Sequence, residues 1–377
     1  MNLLANSECV LLALIRAALN KSYADDQLAK VLGSLTQDDW IRVARLAAKQ
    51  SVVAMAYDGL EAVVASAGET FAAANRQNTA WWSDFVIEWG SQVLFHESNY
   101  AKYEKAVHNL ATFYTEHDMR MLVLKGYGLS LLWPKPNHRP TGEIDIVLLG
   151  DEAWKKGDML IHDELGIEVD NSLPKHSVFK FQGYAVENHF TFLSVHGHQS
   201  TARAEKYLKG LPEDYIVHDS MLFPSADFNA LFLLRHMAEH FASVDMSLRL
   251  LMDWAMFVKA YSNDIHWDVY LDMIRSLGME RFLAVVNAIC MEDFGLDRSL
   301  FPDLPIDAAL KERVLNDIIA PEFKEKAPKA FLPGIAFKIR RWKANLWKHN
   351  IVFSERPFVS FLTQTWSHLL KPSTLKN

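Results

Sequence analysis

The sequence has little cysteine, no proline in its first third and no long apolar run. Cys9 and Cys290 are the two cysteines among 377 residues, which excludes a disulfide framework and a cysteine-based zinc site. Without a stretch of about 18 uncharged apolar residues, we expect no membrane-spanning helix. The apolar run 9–15 is short, ends at Arg16 and lacks a basic leader, so it does not resemble a secretory signal. These absences predict a cytoplasmic protein.

The charge is modest overall but unevenly placed along the chain. The 39 Lys and Arg against 46 Asp and Glu give a formal net charge of −7, which argues against a general nucleic-acid binder. Residues 321–377 nevertheless carry 11 basic residues and 3 acidic ones. Half of the residues are hydrophobic, which provides for a large core and excludes global disorder.

The pattern of apolar residues predicts an α+β protein, with a small mixed-sheet core between N-terminal and C-terminal helical regions. Proline is absent before Pro134, which favours uninterrupted helices in the first part. Thr36 and Asp39 resemble a capping box at a helix start. The predicted regions are an N-terminal helical region (1–118), an α/β core (119–218), a C-terminal helical domain (219–320) and a basic helical tail (321–377).

The predicted core alternates strands with one helix. Asp151 is predicted to cap the helix over 151–164. The predicted strands, read from short apolar or alternating runs, are 121–124, 143–149, 167–170, 177–182 and 184–193.

Two carboxylates, Glu143 and Asp145, are two residues apart on a predicted strand and therefore share one face of it. Side by side they repel each other, and a divalent cation such as Mg²⁺ removes that cost. Glu187 shares a strand face with His189. If the two strands are neighbours, three carboxylates could hold two metal ions about 3.5–4 Å apart, as in-line phosphoryl transfer requires.

A glycine turn follows the first predicted strand, in the order Lys125-Gly126-Tyr127-Gly128. Glycines let backbone N–H groups approach a phosphate, and Lys125 and Arg139 are candidates for neutralising phosphate oxygens. A tight turn with no ligand explains the same glycines equally well.

These motifs together resemble a known family. The chain has Leu124-Lys125-Gly126, then Arg139, then Glu143-Ile144-Asp145, and later Val186-Glu187-Asn188-His189. This order resembles the uncharacterised nucleotidyltransferase family, within the DNA polymerase beta-like nucleotidyltransferase superfamily. The flanking regions match as well, at Asp39-Trp40, His236, His240, Arg249 and Asp253.

The resemblance implies a magnesium-dependent nucleotidyltransferase. Its substrate would be an NTP, with ATP expected, and its acceptor a hydroxyl or phosphate of a sugar, small molecule, protein or RNA end. Glu143 and Asp145 would be paired metal ligands, and Glu187 a third that helps deprotonate the attacking hydroxyl, with two Mg²⁺ ions bound. The expected nucleotide-binding residues are Lys125, Gly126, Gly128, Arg139 and His189.

Two positions depart from the family pattern. Tyr127 follows Gly126 where glycine or serine is usual, and Glu143 stands in place of aspartate. Glutamate is one methylene longer, which shifts a metal site that needs near-ideal geometry. A catalytically degenerate nucleotide-binding or interaction protein is therefore the main alternative.

Other residues offer weaker alternatives. His189 together with His196-Gly197-His198 is compatible with a zinc-dependent hydrolase, although loop histidines are favoured. His236 and His240 share a helix face and are predicted to pack against the core. The basic tail, with aromatic residues among Lys and Arg, is predicted to be a packed amphipathic helix, with binding of an acidic partner, nucleic acid or membrane surface as the alternative.

Overall fold

A computed structural model describes residues 7–195, 198–243, 246–325 and 331–355. The α+β class is confirmed, because one mixed sheet is surrounded by helices on both sides in sequence. The helices are α1 (Ser7–Leu19), α2 (Asp26–Gly33), α3 (Gln37–Lys49), α4 (Val53–Ala74), α5 (Thr79–Glu116), α6 (Tyr127–Ser130), α7 (Ala153–Leu165), α8 (Gln199–Gly210), α9 (Ala226–Ser243), α10 (Leu248–Tyr261), α11 (Trp267–Ser276), α12 (Glu280–Glu292), α13 (Ala308–Ile319), α14 (Phe331–Ala344) and α15 (Leu346–Val352).

The six strands form one sheet in the order β3-β4-β2-β1-β6-β5. Parallel pairing joins β2 to β4 and β1 to β6, whereas the pairs β1–β2, β3–β4 and β5–β6 are antiparallel. The parallel β2–β4 pair lies in the middle of the run β3-β4-β2-β1 and carries Asp145 and Glu187. The strands are β1 (Arg120–Val123), β2 (Ile144–Leu149), β3 (His176–Phe181), β4 (Tyr184–His189), β5 (Ile216–His218) and β6 (Met221–Phe223).

The N-terminal region is helical, as its lack of proline predicts. The capping box is confirmed: Thr36 Oγ1 accepts from the N–H of Asp39, and the Asp39 carboxylate accepts from the N–H of Thr36. Helix α4 is kinked at Ala67. Helix α5 is 38 residues long. Its length lets it contact the N-terminal helices through Trp89 and the sheet through Tyr114.

Two groups of buried side chains support the site. One face of the sheet, including Ile144, Ile146 and Val186, packs against the second half of α5. The larger apolar group joins helices α1–α4 to α9–α13 and α15. Since α9 and α10 belong to this larger group, their positions relative to the sheet are fixed by burial. Within the described residues, none of the helices combines the length and apolar character that crossing a bilayer requires.

Three details of the core prediction were wrong. The strand predicted over 167–170 is one isolated bridge between Asp170 and Val178, because the Asp170 carboxylate accepts from the N–H of Ser172 and turns the chain. Strand β4 ends at His189 instead of residue 193, because the next N–H groups bond to the carbonyl of Lys175. Asp151 does not cap α7: that position is Glu152, at φ 51°, and its side chain makes no cap bond.

Strands β5 and β6 were not predicted. They are three residues each, too short to show alternation. Strand β6 joins the sheet through its parallel pairing with β1, and β5 is the edge strand beyond it. The basic segment 338–343 does form a helix, within α14. Residues 356–377, the end of the predicted basic tail, lie outside the described part of the chain.

Candidate active site

The two most central acidic residues are opposite each other in the sheet. Asp145 on β2 and Glu187 on β4 are register partners, so their side chains project from the same face of adjacent parallel strands. His189 Nε2 lies 3.1 Å from Asp145 Oδ1 and 3.3 Å from Glu187 Oε2. One imidazole nitrogen therefore bridges the two carboxylates. Glu143 immediately precedes β2 and is exposed.

Asp145 is a buried anion held by cationic neighbours. Lys125 Nζ lies 2.9 Å from its Oδ1, and the Asp145 side chain is 3% exposed. Burial alone would raise the pKa of Asp145, but the charge of Lys125 and the hydrogen bond from His189 outweigh it and hold that pKa well below its usual range. Asp145 is therefore a permanent carboxylate in the centre of the site.

The Gly126 turn connects the end of β1 to the start of α6. Gly126 has φ 58° and ψ −104°, a conformation that glycine adopts readily and other residues rarely do. A Cβ there would lie 2.4 Å from the Tyr103 hydroxyl. That hydroxyl donates to the carbonyl of Glu143, 3.2 Å away. The turn and the first acidic residue are thus positioned by the same tyrosine.

We expect Gly126→Ala to destabilise the fold. Forcing a residue with a side chain into this backbone region costs about 1–3 kcal/mol, and the clash with Tyr103 adds to that cost. Urea unfolding of Gly126→Ala and of Gly142→Ala measures the difference. Gly142 is the control, since its neighbouring space is open and its φ is not strained. Equal stability of the two variants would contradict the assigned strain.

A cavity of about 200 Å³ opens beside Asp145. Its walls come from the Gly126 turn, the loop 139–143, and helices α9 and α10. Glu143 and Asp145 both line it, as do Lys125 and Gly126. The other lining residues are Ser51, Leu129, Arg139, Pro140, Thr141, Gly142, Leu233, His236, Met237, Arg249, Leu250 and Asp253.

Arg139 lines the cavity as half of a buried ion pair. Its Nε and Nη2 donate to the two carboxylate oxygens of Asp253, at 2.8 and 2.9 Å. Trp133 Nε1 also donates to Asp253, at 3.0 Å. Burial opposes the charge of Arg139, but the Asp253 carboxylate raises its pKa. The pair joins the loop before β2 to α10.

Two cations near the site were not among the predicted site residues. Arg249 lines the cavity one helical turn before Asp253. Burial, and then the charge of Arg139, lower the pKa of Arg249. Lys175 immediately precedes β3; burial and the charge of Lys125 lower its pKa. The resemblance pointed to Arg249 through its helix, but no sequence signal pointed to Lys175.

The two residues after Gly126 face away from the cavity lining. Tyr127 is buried in the apolar group under the sheet, and its hydroxyl donates to Glu104 at 3.1 Å. Gly128 lies against the ring of Phe223, and a Cβ at this position would be 2.9 Å from that ring. The departure at Tyr127 therefore changes the packing beneath the turn and places no bulk in the cavity.

The remaining histidines divide between several places. His236 lines the cavity, and burial lowers its pKa well below the ordinary value. Its ring lies 4.5 Å from that of His240, whose pKa burial lowers to about 4. His198 is stacked on Phe353 and lies 2.9 Å from Glu355, apart from His189. His196 and Gly197 are outside the described residues.

Acidic residues on adjacent strands, beside a glycine turn and several cations, are typical of proteins that act on phosphate groups. A family model described as "Uncharacterised nucleotidyltransferase" matches residues 36–295, and the chain belongs to that family. Membership gives it a general role in nucleotidyl transfer, with an NTP as substrate. No curated protein and no solved structure matches the chain.

Proposed function

We propose that the protein transfers a nucleoside monophosphate from an NTP, with ATP the expected donor, to a hydroxyl or phosphate of an acceptor in a Mg²⁺-dependent reaction. The observation that carries the proposal is the register pairing of Asp145 with Glu187 beside the cavity. Two carboxylates at one level of a sheet are costly unless cations neutralise them. Asp145 lines the cavity, where an anionic ligand and its metal would meet it, and Glu187 lies next to Asp145 outside the lining.

The carboxylates suit Mg²⁺ because it prefers oxygen ligands. Glu143, Asp145 and Glu187 are the residues that would hold two such ions, one on the cavity side and one near Glu187. Bound Mg²⁺ would neutralise charge on the phosphate oxygens. Glu143 is exposed and also lines the cavity, which suits a metal ligand that an incoming NTP would meet.

The cations would bind the triphosphate. Lys125 and Arg249 line the cavity, and the backbone of Gly126 faces it without a side chain. Burial strengthens the attraction of these groups for phosphate, since little water screens them. Arg139 contributes by holding α10 in place through Asp253, and Lys175 adds positive charge on the β3 side.

The chemical step would use Glu187 as the base. Its side chain is 25% exposed, compared with 3% for Asp145, so an acceptor can reach it. The acceptor oxygen would attack the α-phosphorus and form a new O–P bond. The bond to the β-phosphate oxygen breaks, pyrophosphate leaves, and the proton of the acceptor hydroxyl passes to a Glu187 carboxylate oxygen.

We expect Asp145→Ala to abolish most Mg²⁺-dependent NTP binding. Calorimetry with ATP and Mg²⁺ should show affinity at least about thirtyfold weaker, or ~2 kcal/mol, because the central carboxylate is lost. Asp163→Ala is the control, as Asp163 is exposed on α7. Equal affinity in the wild type and Asp145→Ala would remove this carboxylate from the nucleotide site.

A degenerate site that binds nucleotide without transferring it is the second candidate, favoured by Glu143 in place of the usual aspartate. Calorimetry alone does not separate the two, because both predict binding. Release of pyrophosphate and labelling of an acceptor belong to the transferase alone.

A further inference from the structure

Two histidines and a glutamate converge where β3 and β4 meet. His176 and His189 are direct register partners on these antiparallel strands, and Glu187 shares the strand face of His189. Glu187 Oε2 lies 3.4 Å from His176 Nδ1 and 3.3 Å from His189 Nε2. One ligand atom from each of the three residues lies within 4.8 Å of the others.

These separations match the edges of a metal coordination shell. Zinc binds nitrogen and oxygen ligands at about 2.0–2.2 Å in a tetrahedron, so two of its ligands lie roughly 3.3–3.5 Å apart. The Glu187 oxygen is at that distance from both imidazole nitrogens. The ligand atoms of the three residues all lie within 4.8 Å of one another, so small side-chain rotations would let an ion fit between them.

One histidine nitrogen at this place has no hydrogen-bond partner, and a second could exchange its proton for a metal. His176 Nδ1 is buried and makes no hydrogen bond. His189 Nδ1 lies 3.3 Å from the carbonyl oxygen of Thr191. His189 Nε2 lies 3.1 Å from Asp145 Oδ1 and donates its proton there when no metal is bound. A bound metal would take the place of that proton, and the remaining proton on Nδ1 would be donated to the Thr191 carbonyl. Such a bond to the second ring nitrogen is the usual way in which a protein orients a histidine ligand.

We infer that His176, Glu187 and His189, with Asp145 at the edge, form a site for a divalent transition metal of the zinc class. Imidazole nitrogens favour Zn²⁺ and its first-row neighbours, whereas Mg²⁺ takes oxygen ligands. The catalytic role of this metal rests on the proposed function. Of the two ions proposed there, the one near Glu187 would be a transition metal, and the one on the Glu143 side would be the Mg²⁺ that binds the NTP.

Metal binding by the apo protein tests the inference without any activity measurement. Titration with Zn²⁺ alone by calorimetry, and with Co²⁺ alone by visible absorption, should show one site in the wild type. His176→Ala should weaken Zn²⁺ binding by at least about a hundredfold, since loss of an outer-shell partner alone costs up to about that much. His162→Ala is the matched control, because His162 is exposed on α7. His176→Asn repeats the test with a polar side chain if the alanine variant is unstable.

The outcomes separate this inference from the proposed function. Co²⁺ absorption that a large excess of Mg²⁺ does not remove supports the inference. Absence of Zn²⁺ binding in the wild type, or equal binding in His176→Ala, overturns it even if Mg²⁺-dependent ATP binding is intact. Zn²⁺ binding that needs His176, in a protein that binds no NTP, would uphold the metal site and overturn the proposed function instead.

Discussion

Glu187→Gln is expected to slow nucleotidyl transfer by at least about a hundredfold, the low end for losing acid–base help. Glutamine keeps the size of the side chain and part of its hydrogen bonding, but it cannot accept the proton of the acceptor. NTP affinity should stay within about tenfold, or ~1.4 kcal/mol, because the cavity-side groups hold the triphosphate. The effect should therefore appear in the rate and much less in binding.

Single-turnover transfer and calorimetry on the same preparations measure the two quantities for Glu187→Gln. Glu213→Gln is the control, since Glu213 is exposed and precedes β5. Transfer at the wild-type rate in Glu187→Gln would place Glu187 outside the chemistry. Lower thermal stability with an unchanged rate would make it a structural residue.

The second large effect concerns the ion pair between Arg139 and Asp253. Asp253→Ala should cost about 3–5 kcal/mol of unfolding free energy, because it leaves a buried guanidinium without its partner. Trp133 Nε1 loses an acceptor in the same variant. Urea unfolding measures the loss of stability, and Glu322→Ala is the control. Glu322 accepts two hydrogen bonds from Arg313 in an exposed ion pair. Loss of that pair should lower the unfolding free energy by about 1 kcal/mol or less.

A double variant separates burial of charge from simple loss of packing. Arg139→Met combined with Asp253→Leu removes both charges of the pair. Arg249, which is more exposed and lies 3.5 Å from Asp253, keeps its charge, so the double variant should recover part of the stability that Asp253→Ala loses. A double variant as unstable as Asp253→Ala would mean that shape, not charge, makes this contact important. A loss below about 1 kcal/mol in Asp253→Ala would contradict burial of the pair altogether.

The sequence was most informative where a local rule acts alone. The capping box at Thr36 depends on residues three apart, and the strand around Asp145 is marked by its own alternation. The α+β class follows from such local patterns. From the sequence, Asp145 and Glu187 meet only if their two strands are neighbours. The structure meets that condition, because β2 pairs with β4 and places the two residues opposite each other.

Features that depend on distant residues were less accessible. Arg139 stays a predicted phosphate-binding residue, but its ion pair with Asp253 could not be predicted, because Asp253 is 114 residues away and no spacing links the two. Lys175 and His176 belong to the site because β3 pairs with β4. In the sequence His176 follows Pro174 in a predicted turn, where a surface histidine is the default expectation and a position beside the cleft the alternative. Strands of three residues, such as β5 and β6, carry no usable period.

The central claim, transfer of a nucleoside monophosphate, is tested most directly by the position of the label in ATP. The purified protein is incubated with Mg²⁺, cell extract as acceptor source, and ATP labelled at either the α- or the γ-phosphate, with Asp145→Ala in parallel. The account predicts an acceptor labelled from α-labelled ATP only, pyrophosphate release, and neither in Asp145→Ala. Acceptor labelling from the γ-phosphate, or no labelling by a protein that binds ATP, would contradict it.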